Sequence, residues 1–338
     1  MNFFKFLYIL SLCFAIFVNG TASKITDEKD NTTITVVDEQ RDSIQNSTAT
    51  EKEKTAVFEV DVQRRSFPNG ASTKITNRKE KTAVLAVDVQ KTFYPHGSLS
   101  VTGSNATIIM EFINKLHKEH ALAIISTKDS HPLHISQVKG EGEELTQWEK
   151  TLNITILDKS VANLQAFSFI DPKGITRQQI SWPVHGLKGG KYNDHGFWKG
   201  DDLLPGLDEI STYIQLKGEN PLYDSYSGFS DDGGHKTGLE TYLKTNGFTQ
   251  LIVVGEAGNY CVKASILDAL TAGFKVIQIS DMTHYIPESA ETETETIDEI
   301  QTHANELGGH YISMTSDKLL LEKDLNSDLF ERKECPVN

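Results

Sequence analysis

Thr82-Ala83-Val84-Leu85-Ala86-Val87-Asp88-Val89-Gln90 is the stretch on which the fold turns. Ala83–Val87 is an uninterrupted apolar run ending at a carboxylate, the pattern of a short strand buried on both faces of a parallel sheet. A helical pattern follows at Ser104–Lys118, with Ile108, Ile109, Phe112, Ile113 and Leu116 on one face. Strand patterns then recur at Ala121–Ser126, Tyr213–Leu216, Leu251–Val254, Lys275–Ile279 and Tyr311–Met314. Helical patterns recur at Thr237–Asn246, Asn259–Ala272 and Glu291–Leu307. Gly247 and Gly273 close two of them, and Glu291, Glu293 and Glu295 suit the positive end of the last. Alternating strands and helices imply an α/β fold, a three-layer α/β/α sandwich with a central parallel sheet of Rossmann-like kind. The domain starts near residue 80 and runs to about 316, leaving 317–338 as a C-terminal tail. Residues 139–180 break the rhythm and read as an insertion with structure of its own.

The deciding stretch has echoes upstream. Glu53-Lys54-Thr55-Ala56-Val57-Phe58-Glu59-Val60-Asp61-Val62-Gln63 repeats it, with Asp61 lying 27 residues before Asp88, and a fainter copy runs from Lys24-Ile25-Thr26 to Val37-Asp38-Glu39-Gln40. The spacing is not constant and the repeated unit is a single strand, so these are duplications and not a solenoid. The second copy puts Glu59 inside the apolar run, and only the third is followed by a helix. Residues 21–79, rich in Thr, Ser, Asn, Lys and Glu, are expected to be unstructured.

The first twenty residues read as a signal peptide, with Lys5, the apolar run Phe6–Val18 and then Asn19 and Gly20. Secretion is the expectation, with no membrane association after cleavage, because no second apolar segment reaches spanning length. Cys13 leaves with the signal, and Cys261 and Cys335 are too few for a disulfide scaffold. Sequons at Asn31, Asn46, Asn105 and Asn153 are glycan acceptors if the secretory pathway is eukaryotic. A net charge of −14 over 338 residues, with no basic stripe, argues against a nucleic-acid partner.

Ligands of a parallel sheet bind beyond the carboxyl ends of its strands. The residues there are Asp88 after the first strand, Lys128-Asp129-Ser130-His131 after the second, Lys217 after the third, and Gly255–Tyr260 leading to Cys261 after the fourth. Each alone is ordinary: a cap, a solvated charge, a small core residue. Their convergence on one edge points to chemistry. Cys261 falls in the first turn of a helix, where free N–H groups and the helix dipole lower a thiol pKa and bind a developing oxyanion. A neighbouring carboxylate can take the thiol proton, with a lysine to position it. Asp129 and His131, joined by His185 of Trp182-Pro183-Val184-His185, make a carboxylate and two imidazoles suited to zinc, iron or manganese.

These motifs resemble the nicotinamidases, a branch of the isochorismatase-like cysteine hydrolases. Asp88-Val89-Gln90 with Phe93, Asp129-x-His131-Pro132, Trp182-Pro183-x-His185, Lys217-Gly218, Tyr226-Ser227-Gly228-Phe229 and Asn259-Tyr260-Cys261-Val262-Lys263-Ala264 occur in the family's order over roughly residues 81–315. The resemblance implies an isochorismatase-like fold and hydrolysis of nicotinamide to nicotinate and ammonia through a thioester on Cys261. Asp88 is then the proton carrier, Lys217 its partner, and the N–H groups of Ala257 and Cys261 the oxyanion hole. Asp129, His131 and His185 hold one divalent metal, zinc foremost, that contacts the pyridine nitrogen, and Phe93, Trp182 and Tyr226 line the ring pocket. The resemblance also implies a cis peptide at Glu256–Ala257, and homo-oligomerisation is compatible with it. Two residues depart from the family pattern: Gly186 stands where a Cys commonly follows the metal-binding His, and Glu256 replaces an apolar residue. The competing readings are a related hydrolase of another amide and a secreted pseudoenzyme kept for binding.

Overall fold

A computed structural model of the chain describes residues 24–27, 32–35 and 80–330. Its centre is a six-stranded sheet: β1 (Thr82–Val87), β2 (Ala123–Asp129), β3 (Ser211–Lys217), β4 (Gln250–Gly255), β5 (Lys275–Thr283) and β6 (Tyr311–Met314). The strands lie side by side in the order β3-β2-β1-β4-β5-β6, and every pairing is parallel. Chain order reverses between β1 and β4. That is where an open parallel sheet opens a crevice at its carboxyl edge.

Every residue of β1 is buried, as its unbroken apolar run requires. Val84 and Ala86 belong to one core cluster, and Ala83, Leu85 and Val87 to another. The period of two along a strand sends alternate side chains to opposite faces. The first cluster takes Ile109, Phe112, Ile113 and Leu116 of α1 (Ala106–His120). The second takes Leu239 and Leu243 of α2 (Leu239–Thr245), Ile266 and Ala269 of α3 (Lys263–Thr271), and Ile300 and Ala304 of α4 (Thr292–Leu307). Two helical layers sandwich the sheet. α1 starts where the Asn105 side chain accepts the N–H groups of Thr107 and Ile108. Ile108, expected on its apolar face, is 48% exposed, because the face pressed on the sheet is only as wide as the four buried positions.

The insertion carries a helix at Glu143–Leu152 and short strands at Thr155–Ile156, Ala166–Ile170 and Thr176–Ile180, built around a small core of its own that includes Leu145, Phe167 and Phe169. The stretch read as a tail from 317 packs as far as it is described. Ser316–Leu320 is a short helix, and Leu319, Leu325 and Leu329 are buried in the first core cluster. Within the segment expected to be unstructured, Lys24–Asp27 pairs antiparallel with Thr32–Thr35. The proposed signal peptide, the second repeat copy and Cys335 lie outside the described residues. Among the described residues no helix is long and apolar enough to cross a membrane.

Candidate active site

The four strand ends named from the sequence meet. Asp88, Asp129, Lys217 and Cys261 follow or end β1, β2, β3 and β4, and all four are buried. Lys217 organises them. Its ammonium lies 2.8 Å from Asp88 Oδ2 and 2.5 Å from Asp129 Oδ1, and donates to the Ser225 carbonyl at 2.8 Å. It is also 3.5 Å from Cys261 Sγ. The sequence reading pairs Lys217 with Asp88; the structure keeps that contact and adds a second, to Asp129, so one ammonium joins the two carboxylates. Thr127 Oγ1 donates to Asp88 Oδ1 at 2.6 Å and accepts the Asp88 N–H at 3.0 Å, which holds Asp88 in a left-handed backbone conformation (φ 49°).

The electrostatics separate the two carboxylates. Burial pushes Asp88 up to about 6, with Lys217 pulling it down and Asp129 adding to the rise. Burial also acts to raise Asp129, yet Lys217, His131 and His185 outweigh it and hold that carboxyl far below its usual range. One is therefore poised to carry a proton and the other stays ionised. Lys217 stays charged, since its acidic neighbours overcome the burial that would lower it. Cys261 does not follow the expectation from its place at a helix start. Burial raises its thiol well above the ordinary value, Asp88 and Asp129 add to this, and Lys217 opposes them. Burial thus favours the thiol over the thiolate, so attack by the sulfur calls for a base within the site.

Cys261 lies in a single wide helical turn, Gly258–Val262, that leads into α3. The Ala257 carbonyl accepts the N–H groups of Tyr260 and Val262, both at 3.1 Å, and so anchors that turn. The Glu256–Ala257 peptide is cis, as the resemblance implied. Cys261 is a free thiol.

Asp129, His131 and His185 offer ligand atoms within 4.8 Å of one another. His131 Nε2 and His185 Nε2 lie 3.7 and 3.8 Å from Asp129 Oδ2. Each imidazole donates its Nδ1–H to a carbonyl, His131 to Gly218 at 3.0 Å and His185 to Pro183 at 2.7 Å. In the neutral rings both Nε2 lone pairs then face the carboxylate, the usual arrangement of metal-ligating histidines. Burial acts to lower His131, while Asp129 outweighs it and raises it. His131 Nε2 is buried without a hydrogen-bond partner, so the three side chains fit a divalent cation. Burial and the neighbouring His131 lower His185 to about 4, which favours its neutral ring. His134 is close by but is used up: Nδ1 accepts the Ser136 N–H at 3.1 Å and Nε2 donates to the Tyr223 carbonyl at 3.1 Å.

Two glycines make room. A Cβ on Gly218 would fall 2.3 Å from His131 Cε1, and one on Gly186 would fall 2.8 Å from Asp129 Cβ, with both backbones at positive φ. Gly186 therefore accommodates the packing of Asp129 and His131.

A small, partly open pocket lies over the thiol and the Asp129–His185 pair. The expected Phe93, Trp182 and Tyr226 line it together with Asp129, His185, Ala257 and Cys261. Trp182 Nε1 donates to the Tyr226 hydroxyl at 2.9 Å, and Phe93 packs at 5.4 Å on the His185 ring. Leu99, Asp224, Tyr260 and Ile286 also line it and were missed. Tyr260 adjoins Cys261 and Asp224 lies two residues before Tyr226, so both had a positional signal; Leu99 and Ile286 had none.

Residues 223–307 match the model of the isochorismatase domain. The nicotinamidase of Schizosaccharomyces pombe is 30% identical over 178 residues, covering 67% of that protein and 50% of this chain. The chain belongs to the nicotinamidase family of isochorismatase-like hydrolases. Another member, the nicotinamidase of Escherichia coli, is 41% identical over 105 residues, 30% of this chain; the match spans a little under half, 46%, of that relative's length. Among solved structures, the Acinetobacter baumanii nicotinamidase/pyrazinamidase superposes with a TM-score of 0.52 at 26% identity, over 72% of this chain and 99% of that one. Family membership agrees with the six-stranded parallel sheet and with a site at its carboxyl edge.

Proposed function

We propose that the chain is an amidohydrolase that converts nicotinamide to nicotinate and ammonia through a thioester on Cys261. The observation that carries this reading is the buried unit in which Lys217 bridges Asp88 and Asp129 with its ammonium 3.5 Å from the Cys261 sulfur. Asp88, raised to about 6, accepts the thiol proton as the sulfur bonds to the carboxamide carbon. The carbonyl π pair becomes an oxyanion facing the N–H groups of Ala257 and Cys261. Asp88 returns the proton to the nitrogen, the C–N bond breaks, and ammonia leaves. Water then attacks the thioester, giving its proton to Asp88. The C–S bond breaks, nicotinate departs and the thiol is restored. Lys217 keeps Asp88 in place and limits how far burial raises it.

Asp129, His131 and His185 would hold the divalent ion; the donor set suits zinc, with iron or manganese as alternatives. Bound there, the ion supplies a Lewis-acid contact for the pyridine nitrogen. Phe93, Trp182 and Tyr226 enclose the ring, and the carboxamide is thereby presented to Cys261. Secretion, read from residues 1–20, is part of the same proposal, tested by recovery of the processed chain from the medium. Release of ammonia and nicotinate from nicotinamide by the purified protein tests the activity. Absence of turnover in the metal-replete protein refutes it.

A further inference from the structure

Glu256 is completely buried, yet it does not line the cavity. A carboxylate taken out of water is costly unless it is paired and hydrogen-bonded. Here its main partner is His284, which directly follows β5, and the buried Tyr94 hydroxyl also lies against it. His284 donates Nδ1–H to Glu256 Oε1 at 2.8 Å and its backbone N–H to Oε2 at 3.2 Å. The His284 carbonyl accepts the N–H of Gly258 at 2.7 Å. On the opposite side the Glu256 N–H donates to the Val87 carbonyl at 3.0 Å, at the end of β1. The segment Glu256–Gly258 is therefore held at both ends by His284 and fastened to the strand that leads into Asp88.

Ala257 is the residue between those two anchors. It lines the cavity beside Cys261, and its carbonyl starts the turn that carries the nucleophile. The strand-side loop goes on in the same manner. Ile286 N–H donates to Asn259 Oδ1 at 3.1 Å, and Asn259 Nδ2 donates to the Ile286 carbonyl and to Glu288 Oε1, each at 3.0 Å. Residues 284–288 thus run as a splint along 256–260. A buried ion pair adds little net stability over apolar residues of similar size. What it adds is a fixed geometry, and Ala257 is the group whose geometry it fixes.

We propose that Glu256 and His284 are positioning residues for the oxyanion hole, setting the Ala257 N–H against the oxygen that gathers charge as the amide is attacked. This rests on the amidohydrolase reading above. Neither residue touches substrate. An interaction strengthened only in the transition state acts on kcat and leaves KM alone. In His284→Ala the Nδ1 donor is lost while the backbone bonds to Glu256 and Gly258 remain available. The expected result is a fall in kcat of about 10- to 100-fold with KM changed by less than about twofold, as befits a displaced donor. His284→Asn puts an amide N–H near the place of Nδ1 and should recover most of the loss. A second readout isolates the oxyanion. Pyridine-3-carbaldehyde takes the Cys261 sulfur at its carbonyl carbon, the π pair becoming an alkoxide or, with the thiol proton, a hydroxyl. Its affinity should fall with kcat across the variants while that of nicotinate stays constant.

Unchanged kcat in His284→Ala overturns the proposal. So does a loss carried by KM, a His284→Asn variant no better than Ala, or an aldehyde affinity indifferent to the substitution. Should His284→Ala fail to fold, His284→Asn and Glu256→Gln are judged by whether kcat and aldehyde affinity change together, and independence of the two overturns the proposal. A wild-type protein without nicotinamide turnover sinks the amidohydrolase reading and this inference together. An active wild type with indifferent variants sinks this inference alone.

Discussion

Replacing Lys217 by Met tests the electrostatic unit at the heart of the site. The ammonium is fully buried and lies within 2.8 Å of one buried carboxylate and 2.5 Å of another. Methionine keeps the length of the stem and removes the charge. Removing one partner of a buried pair costs about 3–5 kcal/mol, because the remaining charge is left uncompensated. For a domain of this size that corresponds to a fall in melting temperature of about 6–20 °C. The deficit depends on pH with a definite sign. Asp88 is already raised to about 6 by burial with Lys217 opposing the rise, so the variant's Asp88 is raised further. A carboxyl with a folded pKa above its unfolded one stabilises the fold below the unfolded value and loses that contribution as pH rises through the folded one. The difference between wild type and variant should therefore be largest near about pH 8 and shrink toward about pH 5. Urea unfolding of the chelated proteins across that range measures it. A deficit below about 1 kcal/mol, or one that does not vary with pH, contradicts the pairing described here.

Cys261→Ala and Asp88→Asn should each lower ammonia release from nicotinamide by at least about a thousand-fold without unfolding the protein, as expected for members of one catalytic unit. His185→Ala should lower bound metal, read by elemental analysis, and weaken nicotinamide binding together with turnover, while alkylation of Cys261 by a small reagent persists. Deleting residues 21–72 should leave turnover and melting temperature nearly unchanged; an inactive or insoluble product refutes the choice of Ala83–Val87 as the working strand. Leu85→Ala, in a fully buried position of β1, should cost about 2–5 kcal/mol of stability, measured by denaturant unfolding.

The centre of the sheet was legible because strands buried on both faces, β1 and β4, leave unbroken apolar runs, and all six strands were placed within a few residues. The site was legible for a related reason: such a sheet delivers the residue after each strand to one edge, so Asp88, Asp129, Lys217 and Cys261 could be read by position. What pairs with what was not. The Lys217–Asp129 contact spans 88 positions and the Glu256–His284 contact 28, and no local pattern encodes either. The direction of the Cys261 shift was misjudged because the helix start is a local feature, whereas burial and two carboxylates come from the assembled fold. The insertion's two- to five-residue strands are too short to show a period. The region after 317 looked like a tail because its buried residues, Leu319, Leu325 and Leu329, are widely spaced among charges.

The account rests on a covalent acyl-enzyme at Cys261, and acid-quenched mass spectrometry tests that most directly. Mixed with nicotinamide and stopped in the pre-steady state, the metal-replete protein should carry one nicotinoyl group in thioester linkage on the peptide containing Cys261, sensitive to hydroxylamine and absent from Cys261→Ala. Turnover of nicotinamide with no adduct on that peptide, or with full activity retained in Cys261→Ala, contradicts it.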